Sequence, residues 1–119
     1  MNDEVLRSIK RLDVISALQA GWNGSDAKPF DPAFLGSVKT VVCALRIQPE
    51  IFPLSTGDIQ LEYDGPDESY LEFVITESFE VNVFKIDRCN NETYFGTNFL
   101  VESIDRIVTD FYNEPRNNT

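Results

Sequence analysis

The spacing of apolar residues changes twice along this chain, and this change constrains the fold more than any other feature of the sequence. Up to about residue 46, apolar side chains recur every three or four positions, which is typical of helices that bury one face. From about residue 58 they alternate with polar side chains, as in half-buried strands, and helical spacing returns near residue 99. This order predicts an α+β fold in which the helices pack on one face of an antiparallel sheet. The other face is then open to water or to a partner.

We predict three helices. The first spans residues 4–20 and ends at Gly21, because glycine commonly terminates helices. The second begins at Asp31, since aspartate caps helix N-termini and the proline that follows suits the first helical position. Its apolar face runs to about Arg46. The third helix spans residues 99–112.

We predict three to four strands between the second and third helices. Residues 59–64 and 71–76 alternate in polarity, and the turn chemistry between them indicates an antiparallel hairpin. The alternation resumes at Phe79 after a short turn, and a fourth strand lies around residues 92–95. Residues 51–52 can add a short edge piece.

The length and composition of the chain predict one domain. Its 119 residues are 42% hydrophobic and 12% aromatic, which is enough for a hydrophobic core and too apolar for a disordered protein. We place a single α+β domain at residues 1–114 and a loose C-terminal tail at residues 115–119.

Charge and residue types exclude several kinds of chemistry. Twenty acidic residues against ten basic ones give a net charge of −10, which argues against direct binding of DNA or RNA. The chain has no histidine, so His-dependent nucleophilic systems and imidazole zinc sites are excluded. The two cysteines, Cys43 and Cys89, have no histidine to activate them, and we interpret them as spectators. No sequence pattern indicates a cofactor-binding site, and we predict no cofactor.

The start of the chain and its apolar runs indicate a cytoplasmic protein. The first four residues, Met-Asn-Asp-Glu, include two acidic residues and do not resemble a signal peptide. The apolar runs are far shorter than the ~20 residues of a membrane-spanning helix. We therefore expect no membrane partner, and the oligomeric state stays open.

The most informative feature for function is a long segment without a basic residue. Residues 47–84 contain no Lys or Arg, so the predicted sheet carries nearly all of the net charge. The acidic residues of this segment are Glu50, Asp58, Glu62, Asp64, Asp67, Glu68, Glu72, Glu77 and Glu80.

A sequence pattern follows the same part of the chain. A helix is followed by Gly-Trp-Asn-Gly at residues 21–24, a proline, a second helix, two spaced prolines, and Gly-Asp-Ile-Gln-Leu-Glu-Tyr at residues 57–63. The pattern resembles a family of small uncharacterised bacterial and phage proteins, over about residues 15–75. It departs at Asn23 and Tyr63, where that family usually has Asp and Trp. The resemblance implies the same fold and a prokaryotic or phage origin, and it implies no catalytic residue.

Alternation predicts that one face of the sheet is acidic. Gln60, Glu62, Asp64, Glu72 and Glu80 should lie opposite the apolar side chains. Such a face can compete with nucleic acid for a basic groove; alternatively, the acids only keep an exposed sheet face solvated and free of edge pairing. Our predicted partner-binding residues are Glu62, Asp64, Asp67, Glu68, Glu72, Glu77, Glu80 and Trp22.

Two of these assignments have a structural alternative. Trp22 is the only tryptophan and is a candidate binding anchor, because Trp is enriched at binding hot spots; alternatively, it packs over the two helices and closes the corner between them. The clustered carboxylates can be solvated acids or a catalytic site. They lack the spacing of a calcium loop, and we predict neither a catalytic residue nor a metal ligand.

These observations lead to a functional hypothesis and two alternatives. The leading hypothesis is a non-enzymatic acidic inhibitor from a phage or mobile element, of the anti-defence or anti-CRISPR kind. It would mimic nucleic acid and occlude a basic surface of a host protein or protein–nucleic-acid complex. The first alternative is an antitoxin or immunity protein that caps a toxin. The second is a hydrolase that uses carboxylates alone. Reversing the charge of Glu62 and Glu72 should weaken binding more than the same change at Glu102 and Asp105.

Overall fold

A computed structural model describes residues 2–114 and confirms the α+β class. Three helices accompany a five-stranded sheet, and the predicted tail at residues 115–119 lies outside the described residues. In chain order the elements are α1 (Asp3–Ser16), α2 (Pro32–Ala44), β1 (Glu50–Pro53), β2 (Ile59–Asp64), β3 (Tyr70–Ile75), β4 (Val81–Ile86), β5 (Glu92–Thr97) and α3 (Val101–Tyr112).

The first two helices begin where polar side chains cap them. The side chain of Asn2 accepts a hydrogen bond from the backbone N–H of Val5 at 2.8 Å, and that of Asp31 accepts from the N–H of Phe34 at 2.9 Å. Each bond satisfies a donor that the first helical turn leaves without an intrahelical partner. The predicted start of α2 is thus confirmed, and the helix ends two residues before Arg46.

The end of α1 differs from the prediction. The helix stops at Ser16 and does not reach residue 20. The backbone N–H groups of Ala17 and Leu18 bond to carbonyls three residues earlier, at 3.2 and 3.1 Å, so the last turn tightens and the helix closes. Gly21 belongs to a separate turn, with a φ of +78° that favours glycine, and its N–H bonds to the carbonyl of Ala27.

The sheet is a simple antiparallel meander in the order β1-β2-β3-β4-β5. It has one strand more than the three to four predicted, because the possible edge piece at residues 51–52 is a full strand that pairs Glu50 with Glu62 and Pro53 with Ile59. This strand has only four residues and ends in proline, so alternation has no room to show in the sequence.

The prediction that a strand resumes at Phe79 was wrong. Phe79 lies in the β3–β4 turn with a φ of +66°, and β4 begins at Val81. The turn is closed by the backbone N–H of Thr76, which donates to the carbonyl of Glu80 at 2.9 Å. The Phe79 ring packs beside Phe34 at a centroid distance of 5.6 Å, which explains why an apolar residue stands in this turn.

The core lies between the helices and one face of the sheet, which we call the inner face. The helical layer covers β1 to β4, whereas five of the six residues of β5 are exposed and the sixth is only half-buried. The largest fully buried side chains are Phe34, Phe73, Phe111, Ile15, Ile59, Leu61, Leu71, Ile75, Ile104, Val38, Val42 and Val83.

Removing the cap of α2 is expected to destabilise the fold. Asp31→Ala should lower the free energy of unfolding by about 1 kcal/mol, because the N–H of Phe34 loses its acceptor. Urea unfolding measures this change. The exposed loop residue Asp26 provides the control, since Asp26→Ala should stay within about 0.5 kcal/mol of the wild type. Equal effects of the two substitutions would contradict a capping role.

Candidate functional site

The face of the sheet opposite the helices, which we call the open face, is formed by the even-numbered positions of the strands. None of these positions holds Lys or Arg. The positions of the open face are Glu50, Phe52, Gln60, Glu62, Asp64, Tyr70, Glu72, Val74, Asn82, Phe84, Ile86, Glu92, Tyr94 and Gly96.

Three glutamates form a line across the first three strands, and we call them the acidic row. Glu50 lies directly opposite Glu62, and Glu62 lies directly opposite Glu72. Neighbouring strands are ~4.8 Å apart, so the row spans about 10 Å. Like charges directly opposite each other destabilise a sheet. The row is therefore an electrostatic cost to the fold.

Neutral side chains support two members of the row. The Gln60 side-chain amide donates to Glu62 Oε2, and the Tyr70 hydroxyl donates to Glu72 Oε1 at 2.9 Å. Burial, the hydrogen bond to Glu72 and the nearby Glu62 and Glu72 carboxylates raise the pKa of Tyr70 well above its usual range. The phenol therefore stays protonated as a donor. Both hydrogen bonds orient the carboxylates of Glu62 and Glu72 without cancelling their charge.

Three further predicted residues extend the acidic surface beyond one end of β2. Asp64 is the last, exposed residue of that strand. Asp67 and Glu68 follow in a short 3₁₀ turn and are exposed, with φ angles of +55° and +63°. Positive φ is uncommon for residues with a side chain. The turn thus holds two carboxylates in a conformation that sequence reasoning did not predict.

The remaining predicted acids lie at the other end of the sheet. Glu77 and Glu80 belong to the β3–β4 turn, a strand length of about 20 Å from the β2–β3 turn. Glu77 is bound by Lys28, whose Nζ lies 3.0 Å from Glu77 Oε1. The seven predicted acids therefore do not form one site, and the acidic row with Asp64, Asp67 and Glu68 is the continuous part.

Trp22 lies in the corner between α1 and α2. Its indole Nε1 donates to the carbonyl of Lys28 at 3.0 Å, and its ring lies 6.3 Å from that of Phe30. The side chain is half-buried and packs against the core. These are the contacts that the inward-packing alternative describes, and the binding role of Trp22 stays a prediction.

Sequence reasoning missed a ladder of aromatic rings on the open face. The Phe84 ring lies 6.2 Å from that of Tyr70 and 4.7 Å from that of Tyr94. We call these three residues the aromatic ladder. Alternation alone places each ring on the open face, but only the register of three strands shows that the rings meet. The open face is thus acidic on β1 to β3 and aromatic toward β5.

In residues 2–114, no group of three or more His, Cys, Asp or Glu side chains is placed to hold a metal ion. Cys43 is half-buried in α2, and Cys89 is exposed in the β4–β5 turn. Over the same described range, no helix is both long and apolar enough to cross a bilayer.

No protein-family model, curated protein or solved structure matches this chain. The family resemblance of residues 15–75 therefore stays a prediction, and a functional assignment depends on the open face itself.

Proposed function

We propose that this chain is a non-enzymatic acidic binding protein whose open face occupies a basic, nucleic-acid-binding surface of another protein or protein–nucleic-acid complex. Under this proposal it acts in the cytoplasm as an inhibitor encoded by a phage or mobile element. The acidic row, with Asp64, Asp67 and Glu68 beside it, is the contact surface.

The observation that carries the proposal is the direct register of Glu50, Glu62 and Glu72 without a basic residue on the same face. Solubility needs charge on an exposed face, but it does not need like charges in direct opposition, and mixed signs serve it as well. Repulsion between these glutamates destabilises the fold, and this supports the proposal that they bind another molecule. A partner that presents Lys or Arg would relieve the repulsion on binding.

The placement of the basic residues supports the same proposal. Lys28, Lys39 and Lys85 make ion pairs with Glu77, Asp13 and Glu114, in turns, on the helices and on the inner side of the sheet. Among residues 2–114, no ion pair involves Glu50, Glu62 or Glu72, although Arg7 and Arg11 line a cavity together with Glu50. The negative charge of Glu62 and Glu72 on the open face is therefore left uncompensated. A basic surface that approaches the molecule is steered toward this face, most strongly at low salt.

Charge reversal on the acidic row tests the proposal. The tagged double variant E62K/E72K should retain at least about tenfold less partner from a bacterial lysate than the wild type, because tenfold requires only ~1.4 kcal/mol. The matched control reverses two exposed acids on α3, Glu102 and Asp110. Asp105 is unsuitable as a control because its Oδ1 accepts the backbone N–H of Arg46 at 3.0 Å.

Three readouts decide the result. Mass spectrometry should identify a basic partner, added duplex DNA should release it from the wild type, and raised salt should slow its association. E102K/D110K should retain the partner like the wild type. A partner that duplex DNA and salt leave in place would contradict nucleic-acid mimicry. A captured toxin that DNA does not release would support the antitoxin alternative instead.

A further inference from the structure

The two edges of the sheet differ in what they offer to another strand. At the β4–β5 turn, the backbone N–H of Asp87 donates to the carbonyl of Asn91 at 3.0 Å. Hydrogen-bonded and non-bonded pairs alternate along an antiparallel ladder. The odd-numbered residues of β5 therefore bond to β4. Glu92, Tyr94 and Gly96 direct their N–H and C=O groups to the outer edge.

The β1 edge is closed to further pairing. The N–H of Leu54 donates to the carbonyl of Asp58, so the same alternation can be counted from this pair. It follows that the backbone groups of Ile51 and Pro53 point to the outer edge of β1. Arg11 Nε donates to the carbonyl of Ile51 at 2.8 Å, and Pro53 has no N–H. A short strand with a proline and a covering cation is a typical protection against edge pairing.

The β5 edge has none of these protections. It is six residues long, contains no proline or lysine, and has no neighbouring strand among residues 2–114. Its aromatic side chains are exposed, Tyr94 to 73% and Phe95 to 38%. Long apolar edges are rare in monomers, because they pair with other chains.

We propose that β5 pairs antiparallel with β5 of a second copy of this chain and makes a continuous ten-stranded sheet with a two-fold axis at Tyr94. In this register Tyr94 lies opposite its own counterpart, and Glu92 lies opposite Gly96 of the other copy. The three pairs use every outward backbone group of Glu92, Tyr94 and Gly96. Both open faces then lie on the same side of the dimer.

The charge distribution favours a second copy over the basic partner of the acidic row. Glu92 is the only charged residue of β5, and pairing across the axis keeps the two Glu92 side chains about four residues, or ~13 Å, apart along the strands. The Glu72 side chains of the two copies are five strand spacings apart, about 24 Å, which exceeds the ~8 Å screening length. Pairing at the β5 edge thus keeps the acidic rows of two chains of net charge −10 farther apart than the screening length.

The aromatic ladder gives the pairing apolar contact. Tyr94 is its most exposed ring and stands at the edge, so the axis joins two ladders into one run of six rings on the open face. On the inner side, the register brings Phe95 of one copy opposite Thr93 of the other. Aromatic and β-branched residues pair favourably across strands.

The test measures the mass of the purified protein alone, by light scattering after size exclusion, over a dilution series. The wild type is expected to have twice the chain mass of 13.5 kDa at high concentration. Tyr94→Lys should weaken dimerisation at least about tenfold, because it places two ammonium groups directly opposite each other. Val14→Lys is the control: it makes the same change from an exposed apolar residue to lysine on α1, away from both sheet edges, and the dimer should persist.

Amide hydrogen exchange in the unmodified protein tests the register without relying on a variant. The N–H groups of Glu92, Tyr94 and Gly96 should become protected as the concentration rises. A monomeric mass at every concentration would overturn the proposal, and so would a dimer in which these three amides exchange freely. Neither measurement involves the partner of the acidic row, so failure here leaves the proposed function separately testable.

Discussion

Phe73→Ala is expected to lower the free energy of unfolding by about 3–5 kcal/mol, the range for truncating a fully buried phenylalanine. Phe73 lies on the inner face of the central strand and is 0% exposed. Leu61 and Val83 stand directly opposite it on the two neighbouring strands, and Tyr63 contacts it edge-on at a centroid distance of 6.2 Å. The cavity left by the ring is enclosed on several sides, so the surrounding side chains can fill little of it.

Urea unfolding followed by circular dichroism measures this loss. Phe84→Ala is the matched control, since Phe84 is a half-buried phenylalanine on the next strand but on the open face. Phe84→Ala should lower the free energy of unfolding by at most about 2 kcal/mol, because it removes two cross-strand aromatic pairs worth up to about 1 kcal/mol each. Equal losses of unfolding free energy for the two variants would contradict the assignment of Phe73 to the face that the helices cover and of Phe84 to the open face.

Stability is expected to fall in alkaline solution, with Tyr63 as a main cause. Tyr63 is only 3% exposed, and its hydroxyl donates to the carbonyl of Ile47 at 2.7 Å. Burial, followed by the nearby charges of Asp105 and Tyr112, raises the pKa of Tyr63 well above its usual range. The folded protein therefore holds the phenol proton more tightly than the unfolded chain does.

The sign of the pH dependence follows from this difference. The stabilisation by neutral Tyr63 is fully present below the unfolded pKa of ~10. It is lost above that pH, by up to about 1.4 kcal/mol for each pH unit. Tyr63→Phe removes the hydroxyl, so the variant should be about 1 kcal/mol less stable at neutral pH but should lose less stability in alkali.

Urea unfolding from neutral pH to about pH 11, one unit above the ordinary tyrosine pKa, compares Tyr63→Phe with the wild type. The difference in the free energy of unfolding between the two proteins should narrow as the pH rises above ~10. Tyr70 and Tyr112, whose pKa values are also raised, mainly by burial, remain in both proteins, so the difference isolates Tyr63. A gap that stays constant with pH would contradict this assignment.

Much of the fold could be predicted because the spacing of apolar residues within one helix or strand depends only on that segment of the sequence. The alternation over residues 59–64 marks β2 with its observed bounds, and the Asp-Pro pair marks the start of α2. The tightened end of α1 and the turn at Phe79 depend on backbone hydrogen bonds and on a ring contact with Phe34, which no local pattern reports. Strand β1 is too short to have a pattern of its own.

The same distinction between local patterns and long-range contacts applies to the candidate site. Alternation was enough to place Glu62 and Glu72 on one face, because each residue's side depends only on its own strand. Their direct opposition depends on strand register, which the length and type of the turn set. The neutralisation of Glu77 by Lys28 joins residues 49 positions apart, so neither partner could be assigned from the sequence.

The meander order has a consequence for how the chain reaches this structure. Every strand pairs only with the strand before or after it, so each pairing closes a loop of a few residues, and the entropic cost of closure stays small. We therefore expect the hairpins of β2 to β4 to form early and rapidly. The contact between α1 and β1, where Arg11 meets Ile51 from 40 residues away, closes a much longer loop. The outer edge of β1 is thus expected to be covered late, and until Arg11 reaches Ile51 this edge is open to wrong partners even though β1 already pairs with β2.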